Sequence, residues 1–323
     1  MSKPLAIVAG EPNSVSSEII FKSWKLRKKY NHRPFFVIGS IDLFKLQNKK
    51  LKYSIKINEI NNNTLLNKLK NDALNIYNVN FNQQKPFQKI STKSNKYIIN
   101  CFNLAIKLIK SRKIIGFINC PVSKETLFKN KSMGVTEFLS KKSGIKDSEA
   151  MLIYNKKLAV SPLTTHIPLK QVSNKIEKKL LIKKIKTINN FYKKFLKKVP
   201  KIGVLGLNPH NYSPNKMPEE KNIIIPAIKA LKKIKIKLTG PLSPDTSFIL
   251  NKEAKFDVLV GMYHDQVLTP FKTLFDYNAI NITLGLPYIR ISPDHGIAKN
   301  IVGKKIANPK SLIEAIKFFN YIK

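Results

Sequence analysis

Three of the five histidines in this chain follow apolar segments that have the length of a buried strand. His166 ends the segment KLAVSPLTTH, His210 ends KIGVLGLNPH, and His264 ends FDVLVGMYH. In open α/β sheets, the carboxyl ends of parallel strands line the crevice in which ligands bind. Three imidazoles at such ends are suited to bind one divalent metal ion and to leave positions open for a substrate.

The spacing of these histidines leaves a second interpretation open. The gaps of 44 and 54 residues between them match no local metal-binding motif. A single histidine at a strand end is more often a partly buried side chain that hydrogen-bonds to a loop carbonyl. The shared context favours a metal, but spacing alone does not decide between one metal site and three separate histidines.

Further polar residues in the carboxyl-terminal third could bind an anionic group. Lys272 follows His264 by eight residues, and Asn281 and Arg290 begin and end the segment NITLGLPYIR. Such a set suits a phosphate or a carboxylate, which an arginine binds through two parallel hydrogen bonds. Asp245, in GPLSPDTSF, is a candidate proton acceptor or a carboxylate that orients a neighbour, and the alternative is a turn or cap residue.

The composition is that of a folded protein with a strong lysine bias. Hydrophobic residues make up 43% of the 323 residues, and the formal net charge is +40. Only four of the 59 basic residues are arginine, and Lys, Asn and Ile, which AT-rich codons encode, are all abundant. Because no zinc-finger, RRM or basic-zipper pattern occurs, we expect no nucleic-acid partner. The absence of a signal-peptide core and of any run of ~20 apolar residues predicts a cytoplasmic protein without a membrane partner.

Short apolar runs alternate with segments of helical period, which predicts an α/β protein. We predict seven strands, at residues 4–9, 34–38, 113–118, 157–163, 201–207, 256–262 and 279–284. We predict helices at residues 15–29, 97–111, 173–197, 221–234 and 310–322. The asparagine-rich segment 57–72 is predicted to be a loop or an irregular insertion. Residues 1–125 with 290–323 are predicted to form a first α/β lobe, and residues 126–289 a second one.

A series of short motifs resembles the 4-hydroxythreonine-4-phosphate dehydrogenase family. In chain order the motifs are GEP (10–12), PVSK (121–124), GVTEF (134–138), TTHIPL (164–169), GLNPH (206–210), GPLSPDTSF (240–248), MYHDQ (262–266), NITLGLPYIR (281–290) and SPDHGIA (292–298). They are co-linear and span most of the chain, so the resemblance is specific.

The resemblance implies a fold and a reaction. The fold is a two-lobed α/β/α architecture like that of isocitrate and isopropylmalate dehydrogenases, with the cleft between the lobes at a homodimer interface. The reaction is the oxidation and decarboxylation of 4-phosphooxy-L-threonine to 3-amino-2-oxopropyl phosphate in vitamin B6 (pyridoxine) biosynthesis. Its cofactors are NAD or NADP and one divalent metal ion (Zn, Mg, Mn or Co). The protein would thus be a metal-binding oxidoreductase.

The resemblance also assigns residues. The metal ligands carry over to His166, His210 and His264, and one of the three comes from the partner subunit. The residues that carry over as substrate contacts are Thr136, Lys272, Asn281 and Arg290. Asp245 and Lys272 are the candidate catalytic residues, and no residue is assigned to the nicotinamide cofactor.

This sequence departs from the family pattern at the substrate. The family's His-Thr pair reads Val135-Thr136, and the glycine-rich stretches of the family read GEPNSVSSE (10–18) and NYSPNKMPEE (211–220). These changes leave three hypotheses. The chain is the dehydrogenase itself, a relative that acts on threonate or erythronate 4-phosphate, or a non-catalytic paralogue that binds a phosphorylated ligand.

Overall fold

The structure is a computed structural model that describes residues 3–30, 32–61, 68–128, 134–145, 149–212, 218–250 and 255–322. The chain forms two compact units. Unit 1 consists of Met1–Phe138 with Tyr288–Lys323, and unit 2 consists of Leu139–Pro287.

Strands and helices alternate along the chain. The strands of the described residues are β1 (Leu5–Val8), β2 (Phe35–Gly39), β3 (Ile57–Ile60), β4 (Leu74–Asn78), β5 (Gly116–Asn119), β6 (Ala150–Tyr154), β7 (Ala159–Pro162), β8 (Ile202–Leu205), β9 (Leu238–Leu242), β10 (Val258–Gly261), β11 (Ile280–Leu284) and β12 (Ile289–Pro293). The α-helices are α1 (Ser16–Leu26), α2 (Ile41–Leu51), α3 (Asn95–Lys110), α4 (Lys124–Leu127), α5 (Val135–Lys142), α6 (Val172–Lys175), α7 (Lys178–Phe191), α8 (Ile225–Lys233), α9 (Pro244–Leu250), α10 (His264–Phe275) and α11 (Lys310–Asn320). Within the described residues, no helix has both the length and the apolar character needed to cross a membrane.

The strands of unit 1 are all parallel and follow the order β3-β4-β2-β1-β5-β12. β1 and β2 are buried at every residue. Continuous apolar strands of this kind are typical of parallel sheets that helices cover on both faces. On α11, Leu312, Ile316 and Phe319 are fully buried, as the helical period of that segment predicts.

The strands of unit 2 follow the order β11-β6-β7-β10-β8-β9. β7, β10, β8 and β9 are parallel, whereas β6 runs antiparallel to both of its neighbours. α10 contributes Val267, Leu268 and Phe271 to a core that includes Val160 of β7 and Leu259 of β10. Because parallel strands end at one edge of a sheet, the segments that follow β7, β10 and β8 emerge side by side.

The predicted α/β class is confirmed, and each of the seven predicted strands and five predicted helices overlaps an observed element. The sequence analysis missed five strands, which are β3, β4, β6, β9 and β12. Several of these are hard to recognise from their residues. β9, for example, reads LTGPL and contains both glycine and proline, which are rare in strand interiors.

The prediction of a loop over residues 57–72 is wrong for its first part. Ile57–Ile60 form β3, which pairs in parallel with β4. Only Ile60 is fully buried in this edge strand, so its sequence INEI carries no continuous apolar signal. Residues 62–67 lie outside the described residues, as do residues 213–217 of the glycine-poor stretch.

Gly116 at the start of β5 provides a test of the packing in unit 1. A Cβ added there would lie 2.6 Å from Cε1 of Phe319 and 2.7 Å from the carbonyl oxygen of Ile289. We expect Gly116→Ala to lower the free energy of unfolding by about 1–3 kcal/mol, because the packed strand cannot move away from a methyl group. Denaturant titration followed by circular dichroism measures the change.

Gly296→Ala is the matched control for this substitution. No heavy atom lies within 4 Å of the Cβ that it would add. An equal loss of stability in both variants would contradict the packing explanation.

Candidate active site

Each of the three candidate histidines lies just beyond the carboxyl end of a parallel strand of unit 2. His166 follows β7, His210 follows β8, and His264 is the first residue of α10, directly after β10. The sequence analysis placed His264 at a strand tip, and the structure shows that the chain turns into a helix at this residue. The imidazole therefore projects from a helix that is anchored in the core by Val267 and Phe271.

His166 and His264 form a close pair. Their ring centroids are 5.6 Å apart, and the ring planes are inclined by 41°. Two imidazoles that bind one tetrahedral zinc ion at about 2.0–2.1 Å have ring centroids roughly 5 Å apart. The observed separation therefore fits a pair of nitrogen ligands for a single divalent ion.

Asp265 orients the ring of His264. Its Oδ1 lies 2.6 Å from Nδ1 of His264. A carboxylate only accepts hydrogen bonds, so Nδ1 donates and Nε2 keeps its lone pair. A carboxylate behind a histidine in this way fixes the tautomer and the ring orientation that metal binding requires. In the sequence alone, Asp265 could either orient His264 or face solvent, and this contact favours the orienting role.

Main-chain and side-chain hydrogen bonds join the ends of β7 and β10. The Leu163 amide donates to the carbonyl of Gly261 at 2.7 Å. The Thr164 hydroxyl donates to the carbonyl of Met262 at 2.8 Å, and the Thr164 amide donates to the same carbonyl at 3.1 Å. These contacts continue the strand pairing beyond β7 and β10, and they bring the loop of His166 next to the turn before His264.

Gln266 joins the end of β10 to the end of β8. Its Oε1 accepts from the amide of Met262 at 2.6 Å, and its Nε2 donates to the carbonyl of Gly206 at 2.8 Å. The sequence analysis included Gln266 in the motif MYHDQ but assigned it no function, because its residue type suggests no chemistry. Its contribution is to hold the segment of His264 beside the segment of His210.

His210 lies beside Asp245. The distance between Nδ1 of His210 and Oδ2 of Asp245 is 3.8 Å. The hydroxyl of Ser243 donates to Oδ1 of Asp245 at 2.7 Å. This hydrogen bond, together with the nearby imidazole of His210, lowers the pKa of Asp245 below its usual value. Asp245 is thus an exposed carboxylate that stays ionised and available to accept a proton.

Glu220 supports the turn that presents His210. Its carboxylate is buried, and it accepts from the amides of Leu207 and Asn208 at 2.8 Å each and from Nδ2 of Asn208 at 2.9 Å. Burial by itself raises the pKa of Glu220, but the hydrogen bonds from Asn208 and Leu207 outweigh it and lower the pKa. The sequence analysis missed this residue. Its signal was a pair of adjacent acids, Glu219 and Glu220, in a chain with only 19 acidic residues.

The described part of unit 2 thus brings two of the three predicted metal ligands together. Among the residues that the structure describes, no group of three or more His, Cys, Asp or Glu side chains is arranged to hold a metal ion. The rings of His166 and His264 lie close together, and the imidazole of His210 lies beside Asp245.

Arg290 lies on β12 of unit 1 and is almost completely buried. It is 3% exposed, and its Nε donates to Oδ1 of Asn119 at 2.5 Å. Burial lowers the pKa of Arg290 to about 10, against the smaller opposing effects of Tyr288 and Glu137. The guanidinium therefore remains a cation at neutral pH, and Asn119 determines its orientation.

The other predicted substrate contacts differ in exposure. Lys272 is exposed on α10, two turns after His264. The Oδ1 atom of Asn281, on β11, is buried and has no hydrogen-bond partner among the described residues. Thr136 is partly buried on α5, next to the buried Val135. Thr136 and Arg290 belong to unit 1, and the remaining candidate residues belong to unit 2.

Substitution of Gln266 tests whether its two hydrogen bonds position His264. Gln266→Leu keeps a similar volume but leaves the Met262 amide and the Gly206 carbonyl without this partner. We expect the free energy of unfolding to fall by about 1–3 kcal/mol. We also expect zinc affinity to fall by roughly 10–100-fold, as for other residues that orient metal-binding histidines. A competition titration with a zinc dye measures the affinity, and denaturant titration measures the stability.

Thr273→Val, on the same helix, is the matched control. Its hydroxyl donates only to the carbonyl of Thr269, at 3.0 Å, in an exposed turn. Zinc affinity that falls equally in both variants would contradict a positioning role for Gln266.

Comparison with known proteins gives a consistent result over nearly the whole chain. Residues 31–319 match the family described as "Pyridoxal phosphate biosynthetic protein PdxA". The chain is 39% identical over 317 residues to the 4-hydroxythreonine-4-phosphate dehydrogenase of a Sulfurihydrogenibium species, covering 97% of this chain and 96% of that protein. It is 37% identical over 326 residues to the enzyme of the same name from Aquifex aeolicus, covering 98% and 97% of the two chains.

The same similarity holds for a solved structure. The crystal structure of 4-hydroxythreonine-4-phosphate dehydrogenase from Klebsiella pneumoniae aligns with a TM-score of 0.88 at 28% identity, covering 100% of this chain and 99% of that chain. The family match and the two relatives cover far more than the site motifs alone. The chain belongs to the PdxA family of pyridoxal phosphate biosynthetic proteins.

Proposed function

We propose that this protein catalyses the NAD-dependent and divalent-metal-dependent oxidation and decarboxylation of 4-phosphooxy-L-threonine to 3-amino-2-oxopropyl phosphate. The observation that carries the proposal is the pair of His166 and His264 at the carboxyl ends of adjacent parallel strands, in a chain of this family. The relatives that share 37–39% of its residues carry the name of this enzyme. The reaction would serve vitamin B6 biosynthesis, in the cytoplasm.

The residues present fit a divalent ion. His166 and His264 would hold it from one chain, and His210 of a partner subunit in a homodimer would complete the set. The absence of a group of three ligands among the described residues, together with the position of His210 beside Asp245, supports this division. When bound, the ion would lower the pKa of the substrate hydroxyl and stabilise negative charge on that oxygen. Zn, Mg, Mn and Co all suit imidazole and substrate oxygen ligands to some degree.

Four side chains are the proposed substrate contacts. Arg290 offers a buried cation of fixed orientation for the phosphate or carboxylate group, and the exposed Lys272 offers a second charge. The buried Oδ1 of Asn281 would accept a hydrogen bond from a donor on the substrate. Thr136 would add a hydroxyl contact.

Proton transfer would be the task of two candidate catalytic residues. Asp245 is ionised at neutral pH, but its lowered pKa makes it a weaker base than an ordinary carboxylate, so as a proton acceptor it would depend on the metal ion to acidify the substrate hydroxyl. Lys272 is the second candidate catalytic residue, and it would place a positive charge beside the substrate. NAD, or alternatively NADP, would accept the hydride, and we assign no residue of this chain to it.

The test is the formation of NADH from 4-phosphooxy-L-threonine in the presence of Zn, Mg, Mn or Co. We expect turnover that a chelator abolishes, and a decrease of more than about 100-fold for His166→Ala and His264→Ala, since each removes a metal ligand. His32→Ala, a histidine of unit 1 outside the strand-end set, is the control. The absence of NADH with every metal and with either nicotinamide would contradict the proposal.

Mixing two inactive variants tests the shared metal site. If His210 comes from the partner subunit, a heterodimer of His166→Ala and His210→Ala contains one intact site and one doubly altered site. Unfolding and refolding the mixture should then restore about a quarter of the wild-type activity by random pairing. No recovery, where refolded wild-type protein regains its activity, would show that His166 and His210 of a site come from the same chain.

A related dehydrogenase is the second candidate function, and Val135 is the observation that favours it. This side chain is 7% exposed, and it occupies the position of the family's histidine. A site without that imidazole would suit threonate or erythronate 4-phosphate, which carry a hydroxyl in place of the amino group. A panel of the three substrates ranks them by kcat/KM.

Val135→His tests whether this position limits turnover of 4-phosphooxy-L-threonine. We expect kcat/KM for that substrate to rise at least about tenfold. The reason is that the imidazole would add one hydrogen bond to the substrate in a site from which water is excluded. Val135→Leu controls for the change in packing. An unchanged preference in Val135→His would show that Val135 does not determine the substrate.

Thermal stabilisation by the phosphorylated ligand but not by NAD would instead favour a non-catalytic binding protein.

A further inference from the structure

Glu219 joins the two segments of unit 2 that carry His166 and His210. Its Oε1 accepts a hydrogen bond from the hydroxyl of Ser173, on α6, and its Oε2 accepts one from Nδ2 of Asn208 at 3.0 Å. Ser173 follows His166 by seven residues, and Asn208 precedes His210 by two. One carboxylate therefore contacts both the segment after β7 and the turn after β8. The proposed reaction assigns it no role.

The segment around His166 is exposed between two ends that are held in place. His166 and residues 168–171 are all exposed. The Thr164 hydroxyl holds one end of the segment to the turn after β10, at 2.8 Å. The Ser173 hydroxyl holds the other end to Glu219. The position of His166 therefore depends on both ends, because an exposed segment has few buried contacts of its own.

The turn that carries His210 has a strained backbone. His210 and Asn211 have φ angles of 52° and 60°, in the left-handed region that residues with a Cβ disfavour. Such a conformation persists where surrounding contacts fix it. Nδ2 of Asn208 makes contacts of this kind, since it donates to Glu219 at 3.0 Å and to Glu220 at 2.9 Å. The two carboxylates thus hold the start of the turn in place.

Glu219 is ionised when it accepts these hydrogen bonds. Burial by itself raises its pKa, but hydrogen bonds, among them those from Ser173 and Asn208, outweigh this effect and lower the pKa. An ionised carboxylate accepts hydrogen bonds and donates none, so each contact has one direction. Hydrogen bonds to an ionised acceptor are also stronger than those between neutral groups. The link between the two segments is therefore strong and directed.

We propose that Glu219 is a positioning residue that couples the segment of His166 to the turn of His210. The proposal rests on the proposed function, in which both histidines are metal ligands. Glu219 acts through Ser173 on one side and through Asn208 on the other, so the loss of either contact changes the position of both imidazoles. Ligands that are oriented before the ion arrives bind it more tightly, and the metal affinity therefore depends on this carboxylate.

The ring signals of the histidines test the coupling without metal and without turnover. The chain has only five histidines, so NMR spectra of protein with isotope-labelled histidine separate the rings, and alanine substitutions of single histidines assign them. We expect Glu219→Leu to shift the signals of both His166 and His210. Glu219→Gln should keep the wild-type positions, because its amide oxygen can accept from Asn208 while its amide nitrogen donates to the hydroxyl of Ser173.

Ser173→Ala separates the coupling from a general loss of structure. It removes one hydrogen bond at an exposed residue, so the protein should fold normally. Since Ser173 lies in the segment of His166 and contacts Glu219, a shift of the His210 signal in this variant would be transmitted by Glu219. We expect the signals of both histidines to shift. Shifts confined to His166 would overturn the proposal.

A competition titration with a zinc dye measures the consequence for metal binding. We expect Glu219→Leu to bind zinc at least about tenfold more weakly, and Glu219→Gln to bind it like the wild type. Glu177→Leu is the matched control, since Glu177 is an exposed glutamate of the same unit, directly before α7. An equal loss in Glu177→Leu and Glu219→Leu, or an unchanged affinity in Glu219→Leu, would overturn the proposal. A wild-type protein that forms no NADH would contradict the proposed function alone, because neither measurement depends on turnover.

Discussion

The alignment of β7, β10 and β8 at their carboxyl ends is the constraint on which the candidate active site depends. The strands pair in parallel, and the pairing continues past their ends through the hydrogen bonds of Thr164 and Gln266. These bonds bring the ring of His166 next to the ring of His264, although the two residues are 98 positions apart in the chain. A shift of one residue in any of the three strands would turn its side chains to the other face of the sheet and would disperse the site.

Two of the buried charges keep specific hydrogen-bond partners. A chain with a net charge of +40 must leave nearly all of its charges in water, since an isolated buried charge costs several kcal/mol. Arg290 donates to Asn119 at the end of β5, and Glu220 accepts three hydrogen bonds beyond the end of β8. In both cases directed hydrogen bonds replace those that the charged group would make to water.

The positions of the arginines in this protein are more informative than those of the lysines. Compositional bias explains an exposed lysine at almost any position. Only four of the 59 basic residues are arginine, so each arginine suggests a specific structural requirement. Arg290 is buried against an amide oxygen, while Arg27 and Arg33 are oriented by carbonyl oxygens. Arg27 makes two directed hydrogen bonds and Arg33 makes three, in a planar geometry that a lysine ammonium cannot reproduce.

The sequence by itself determined the α/β class, seven of the strands and the family, because many buried strands are continuous apolar runs and the family motifs are local. It also placed the three histidines at strand ends. It did not determine β3, which is an edge strand, or β9, which contains glycine, because both strands carry little apolar signal. Only the tertiary structure decided that His166 pairs with His264 while His210 pairs with Asp245. It alone assigned Gln266 and Glu220 their contacts, because these depend on how segments that are separate in the chain meet and not on any spacing along it.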